Sequence, residues 1–307
     1  MRVLVIRLSA LGDFVLSFGP FAAIRAHHQE AEITLLTTKP FAALAQASPW
    51  FDRVEVDTRP DWWNLPALRR LAHQLRGFDF VYDLQTSARS QHYFRVAGRP
   101  PWSGIAPGCS HPQGPAREAM HTVERQRDQL HGAGIVHFPP PDLGFLTGRA
   151  VPDLPTDFAM LVPGAAPHRP AKRWPAERYG RLAAILAKQG LTPVVTGTET
   201  DLAATILAAC PDAVDLTGRT HLADLFAVAA RARLAVGNDT GPMHIAAAAG
   251  CPCVVLFSAD SDPKLTAPRG PAGRWPVVLR VDGLADLPVE RVAAALPGGP
   301  YSPVIQP

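Results

Sequence analysis

The chain lacks most of the features that would mark a membrane-spanning, secreted or nucleic-acid-binding protein. It has no uncharged apolar run of about 18 residues or more, the length a helix needs to cross a bilayer, so no spanning helix is expected. Its opening stretch briefly resembles a signal peptide, but Arg7 and Asp13 interrupt it, and a buried strand accounts for it better. The net charge of +3 is small against 30 basic and 27 acidic side chains, which argues against nucleic acid as a partner. The four cysteines, Cys109, Cys210, Cys251 and Cys253, form neither a disulfide framework nor paired CxxC knuckles. A reducing compartment and no metal are therefore expected. No short-period repeat is present, although the two halves share a pattern.

With 307 residues, 47% of them hydrophobic and 19% charged, the chain can bury a core in each of two domains. Val3–Ile6 reads as a buried parallel strand. Phe14, Val15, Phe18, Phe21, Ala22 and Ile24 then recur at helical spacing, so the period changes near Gly12. Strand-like and helical stretches go on alternating to Val96, which predicts a parallel sheet covered on both faces. Residues 100–155 are rich in proline and glycine, with one helix expected between about Glu118 and His131. Pro139-Pro-Pro141 and Pro152-Asp-Leu-Pro155 are stiff spacers of the kind that join domains. From Phe158 the alternation restarts, ending in an edge strand at Val277–Arg280 and a helix at Val289–Leu296. The expected organisation is a domain at 1–150 and a second at 151–307, with the last helix free to pack back on the first.

In open parallel sheets ligands bind beyond the carboxyl ends of the strands, so chemistry is expected in the strand-end loops. Asp13 follows the first strand; it is either a helix cap or a general base facing a cleft. Gly237-Asn-Asp-Thr-Gly-Pro-Met-His244 follows the strand Leu234–Val236 and opens a small-residue helix. Its glycines permit close backbone approach, Pro242 suits a first helical turn, and the free N–H groups make an anion site. Thr240 and His244 can add bonds to a diphosphate, while Asp239 or Thr240 acting as a simple cap is the plainer alternative. The loop Pro163–Pro175 crowds Arg169, Lys172 and Arg173, and a lysine point charge can neutralise a departing nucleoside diphosphate without a metal. Trp174 reads as a packing anchor. Glu199 can accept bonds from ribose hydroxyls, or serve only as an acidic first-turn residue. Asp260-Ser-Asp262 looks like a metal-binding D-x-D but sits in turn chemistry.

Three of these motifs, Ser9-x-x-Gly12-Asp13, Pro163-Gly-Ala leading to Lys172-Arg-Trp-Pro175, and Asn238-Asp-Thr-Gly-Pro-Met-His244, stand in one order and spacing. Together they resemble glycosyltransferase family 9, the ADP-heptose:lipopolysaccharide heptosyltransferases, over nearly the whole chain. The resemblance implies a GT-B architecture, with two Rossmann-like doubly wound domains facing each other across a cleft. The amino-terminal domain would hold the acceptor and the carboxy-terminal one the nucleotide-sugar. It implies an inverting, metal-independent transfer without a cofactor, with Asp13 as base and Arg7, Ser9 and Gly12 meeting the acceptor. Lys172 and the stretch Asp239, Thr240, Gly241, Met243 and His244 would stabilise the leaving diphosphate, with Met243 on the adenine side and Glu199 on the ribose. Pro163 to Ala171 contains no serine or threonine, so His168 and Arg169 take the place of the hydroxyls the family offers there.

The implied partners are ADP-heptose and a lipid-linked or phosphorylated oligosaccharide. The implied location is the cytoplasm, with peripheral contact at the inner membrane left open. Arg69, Arg70, Arg76, Arg89 and Arg95 fit either such an anionic partner or ordinary solvated helix faces. Two other functions suit the same fold: a nucleotide-sugar epimerase, which needs no acceptor, and a binding protein that converts nothing.

Overall fold

A computed structural model describes residues 1–61, 63–146, 153–166 and 168–297. Two compact units divide between Phe145 and Leu146, and each is built on its own six-stranded sheet. Pro152 of the second proline spacer lies outside the described residues.

In the first unit the strands are β1 (Arg2–Ile6), β2 (Glu32–Thr37), β3 (Arg53–Val56), β4 (Phe80–Asp83), β5 (Trp102–Gly104) and β6 (His111–Pro112). They are all parallel and lie in the order β3-β2-β1-β4-β5-β6. The second unit contains β7 (Phe158–Val162), β8 (Thr192–Val195), β9 (Val214–Asp215), β10 (Leu234–Asn238), β11 (Cys253–Phe257) and β12 (Val277–Arg280). Their order, β12-β11-β10-β7-β8-β9, is the same doubly wound arrangement, again all parallel. The central strands are covered by helices on both faces, which is why Val3–Ile6, Phe158–Val162 and Cys253–Phe257 are continuous apolar runs with every residue buried.

Several details depart from the sequence expectation. The first helix is two, Leu11–Leu16 and Phe18–His27, because the pattern breaks at Ser17, whose hydroxyl donates to the Asp13 carbonyl at 2.7 Å. The helix expected from Glu118 begins later, at Thr122–Gly132, after a short 3-10 turn at Pro115–Ala119. β5 and β6 escape the sequence reading because three and two residues show no period. The final helix, Val289–Ala294, packs into its own unit, where Val289, Val292, Ala295 and Leu296 join the core of Leu161, Trp174 and Leu182.

Each sheet reverses its connection direction beside its first strand, between β1 and β4 in one unit and between β7 and β10 in the other. A crevice opens there beyond the carboxyl ends, and ligands of open α/β sheets bind in it. The loops that follow these four strands carry most of the residues singled out above.

Candidate active site

In the first unit Asp13 is the third residue of its helix, not the cap; Ala10 occupies the cap position. The Asp13 carboxylate reaches back to the Ala10 N–H at 3.3 Å and lies 3.3 Å from the Arg7 guanidinium. Its side chain remains 38% exposed, so it faces solvent at the crevice. Arg7 is different. It is 4% exposed and donates to the Leu84 carbonyl after β4, which holds it beside the Asp13 carboxylate. Burial lowers the Arg7 guanidinium from its ordinary value, and neighbouring Asp13 offsets part of that shift.

Ser9 and Gly12 are half-buried in the same turn. The turn is held by Gln85, whose Oε1 accepts the N–H groups of Leu8 and Ser9 at 2.8 and 3.0 Å. Asp83 closes β4 and accepts the N–H groups of Gln85 and Thr86 at 3.1 and 3.0 Å. Burial pushes the Asp83 carboxyl up to about 6. Half-buried Arg125 adds a further cation: burial and Arg117 lower it, and Asp13 raises it. Sequence reasoning missed Gln85, Asp83 and Arg125, because nothing local marks a residue that meets the Asp13 turn from a distant part of the chain.

In the second unit the Lys172 ammonium meets Asp239 Oδ2 at 2.5 Å, and the Ser261 hydroxyl donates to the same oxygen at 2.6 Å. Three loops, after β7, β10 and β11, therefore converge on one carboxylate. Lysine has three N–H donors, so two remain for an anion once Asp239 takes one. The helix Gly241–Ala248 begins beside the pair, with Thr240 at its cap position and Pro242 in its first turn. Its N-terminal partial charge favours the same anion.

Asn238 is the hub of this loop and another residue the sequence reading passed over. It is fully buried, donates to the carbonyls of Pro163 and Gly164 at 2.7 and 3.3 Å, and accepts from the Trp174 N–H at 3.1 Å. Trp174 is the expected packing anchor, 1% exposed with its ring edge against Tyr179. Glu199 occupies the cap position of the helix Thr200–Ala209, and its carboxylate lies 3.5 Å from the Arg173 guanidinium. Thr198 donates to its other oxygen through N–H and hydroxyl at 3.1 and 3.0 Å.

Gly164 passes close over Glu199, where an added Cβ would lie 2.6 Å from Oε2. His168 and Arg169 are exposed, next to Pro167, which lies outside the described residues. Met243 has no exposed surface and His244 only 5%; both pack beneath the turn. Asp262 caps a short helix through the Lys264 N–H at 2.9 Å, the turn chemistry expected of it. Among the described residues no group of three or more His, Cys, Asp or Glu side chains is placed to hold a metal.

The packing of Met243 predicts a stability effect. A Cβ on Gly237 would sit 2.6 Å from both Met243 Sδ and Val162 Cβ, and Val162 is fixed in β7. Gly237→Ala should therefore destabilise the second unit by about 1–3 kcal/mol through overpacking. Denaturant unfolding should show a lower midpoint with unchanged slope, and an unshifted midpoint would contradict the packing described.

The profile described as "Glycosyltransferase family 9 (heptosyltransferase)" matches residues 68–275. The chain is 38% identical to lipopolysaccharide heptosyltransferase 2 of Escherichia coli K12 over 306 aligned positions, covering 87% of this chain and 85% of that protein. Among solved structures it is similar to E. coli heptosyltransferase WaaC with ADP, with a TM-score of 0.78 at 20% identity, covering 95% and 98% of the two chains. It is also similar to E. coli ADP-heptose lps heptosyltransferase II, with a TM-score of 0.75 at 24% identity over 95% and 96%. These two likenesses speak to the fold, which is GT-B in class.

Proposed function

This chain belongs to glycosyltransferase family 9, and from that premise we propose that it transfers heptose from ADP-heptose to an inner-core acceptor of lipopolysaccharide, in the cytoplasm, with inversion and without a metal. The observation that carries this reading is the convergence of Lys172, Asp239 and Ser261 at the amino end of the helix Gly241–Ala248. A nucleoside diphosphate leaving group needs a fixed cation and oriented N–H groups, and this turn offers both.

The reaction follows from those parts. An acceptor hydroxyl oxygen attacks the anomeric carbon from the face opposite the nucleotide. Its O–H bond breaks as the proton passes to the Asp13 carboxylate, and the bond from the anomeric carbon to the ADP oxygen breaks with its electron pair leaving on ADP. Lys172 and the helix amino end neutralise the charge that develops on the diphosphate. Arg7 keeps the Asp13 carboxylate at its place in the crevice. Glu199, ordered by Thr198 and Arg173, meets the ribose hydroxyls. The acceptor belongs to the first unit and the nucleotide to the second.

The reading is tested by titrating ADP-, UDP- and GDP-sugars calorimetrically and then supplying a lipid-core acceptor. ADP-heptose should bind best, and the acceptor should gain the mass of one heptosyl residue, heptose less water. NMR should show the opposite anomeric configuration, and excess EDTA should leave the rate unchanged. Donor conversion without acceptor would replace transfer by epimerisation, and binding with no conversion of either kind would leave a binding protein.

A further inference from the structure

The loop after β3 and the helix it enters, Leu65–Leu75, carry a surface that the transfer chemistry does not use. Trp63 is 79% exposed and Leu65 is 62% exposed, the two largest apolar side chains standing together on the surface among the described residues. An isolated exposed apolar side chain is ordinary. Here the pair is explained by neither packing nor capping. Asn64 caps the helix by accepting the Ala67 N–H at 3.2 Å, which puts Trp63 just before the cap. A residue there commonly folds down as a staple onto the first turn, and Trp63 stands out instead.

The helix buries Ala67, Leu71 and Leu75 on its inner face, and Arg69 and Arg70 are exposed one turn beyond Leu65. Neither arginine is paired with a carboxylate among the described residues, and Asp61 is the one acidic residue between Arg59 and Leu75. An exposed indole and leucine flanked by two unpaired arginines, on an amphipathic helix lying across the surface, are complementary to the headgroup region of an anionic bilayer.

The position adds to this. Arg59, in the same loop, donates to the Leu8 carbonyl at 3.2 Å, and Arg89 donates to the Pro60 carbonyl at 3.5 Å. The loop is thereby tied to the turn that bears Asp13, so a membrane meeting Trp63 and Leu65 lies at the rim of the acceptor crevice.

We propose that Trp63, Leu65, Arg69 and Arg70 form a docking surface for an anionic lipid membrane, which brings a lipid-linked acceptor to the Asp13 end of the first unit. The last clause rests on the proposed function; docking itself does not. The full chain is sedimented with vesicles of phosphatidylcholine containing phosphatidylglycerol, and with phosphatidylcholine alone. Binding is expected to the anionic vesicles and to weaken in high salt. Arg69→Gln/Arg70→Gln should weaken it roughly thirtyfold, the effect of two charges near such a surface.

Trp63→Ser/Leu65→Ser should weaken vesicle binding at least as much while leaving ADP titration and transfer to a deacylated, water-soluble acceptor unchanged. That soluble assay keeps the two readings apart: loss of docking with soluble transfer intact supports the inference, whatever the acceptor. Wild-type protein that ignores anionic vesicles overturns it, as does equal binding by all variants. Self-association in solution that Trp63→Ser/Leu65→Ser abolishes, without vesicle binding, overturns it in favour of a second copy of the chain.

Discussion

Asp13→Asn is expected to lower the transfer rate by about 10²- to 10⁴-fold, the usual worth of a positioned general base, while ADP titration stays within twofold, roughly 0.4 kcal/mol. The substitution is chosen because asparagine keeps the shape of the side chain and an oxygen to which the Ala10 N–H can donate, as it does to the Asp13 carboxylate at 3.3 Å in the native turn. What it removes is the charge facing Arg7 and the capacity to take a proton. The Lys172–Asp239 pair belongs to the other unit and is untouched by the substitution. A split between rate and donor affinity is therefore the signature of a base, whereas a folding defect would depress both. If Asp13→Asn retains a tenth or more of the wild-type rate with a verified acceptor, Asp13 is a turn residue and the base lies elsewhere.

Lys172→Ala is expected to weaken ADP-heptose binding and to lower the transfer rate a further 10²- to 10³-fold, comparable to removing one donor from an anion-stabilising site. The effect on binding distinguishes it from Asp13. Removing the ammonium also leaves Asp239, whose side chain is 7% exposed, with Ser261 as its remaining hydrogen-bond donor. A carboxylate stripped of its partner in such a place destabilises a fold, so the single variant confounds chemistry with stability. The double variant Lys172→Ala/Asp239→Asn separates them: it should recover most of the lost unfolding midpoint and none of the transfer. Recovery of transfer in the double variant, or donor titration unchanged in the single, would remove Lys172 from the leaving-group side.

Much of this architecture was legible in the sequence, because strands buried on both faces must be apolar throughout and the covering helices must carry a 3.6-residue stripe. Cys253–Phe257 and Ala176–Lys188 could hardly be read otherwise. The loops Pro163–Pro175 and Gly237–His244 were legible for a related reason, since glycine, proline and cations at the end of an apolar run have few structural explanations. What the sequence did not show has a common cause. Arg7 is buried against the Leu84 carbonyl, which follows a neighbouring strand. Met243 sits in the most specific motif, and its packing fills the space left by Gly237. Ser261 stood in a stretch read only as a turn, and its partner Asp239 lies 22 residues earlier. Contacts between loops of different strands are set by sheet order, which no local pattern encodes.

The shared strand order of the two sheets has a consequence for how such a protein can change. The turn bearing Asp13 follows the first strand of one unit, and the loop bearing Lys172 follows the first strand of the other. The same address in a duplicated frame thus holds an anion in one half and a cation in the other. Each frame has a core of its own, so a strand-end loop in one can be rewritten without disturbing the core of the other. Chimeras joined near Phe145 are a natural way to ask which half chooses the donor and which the acceptor.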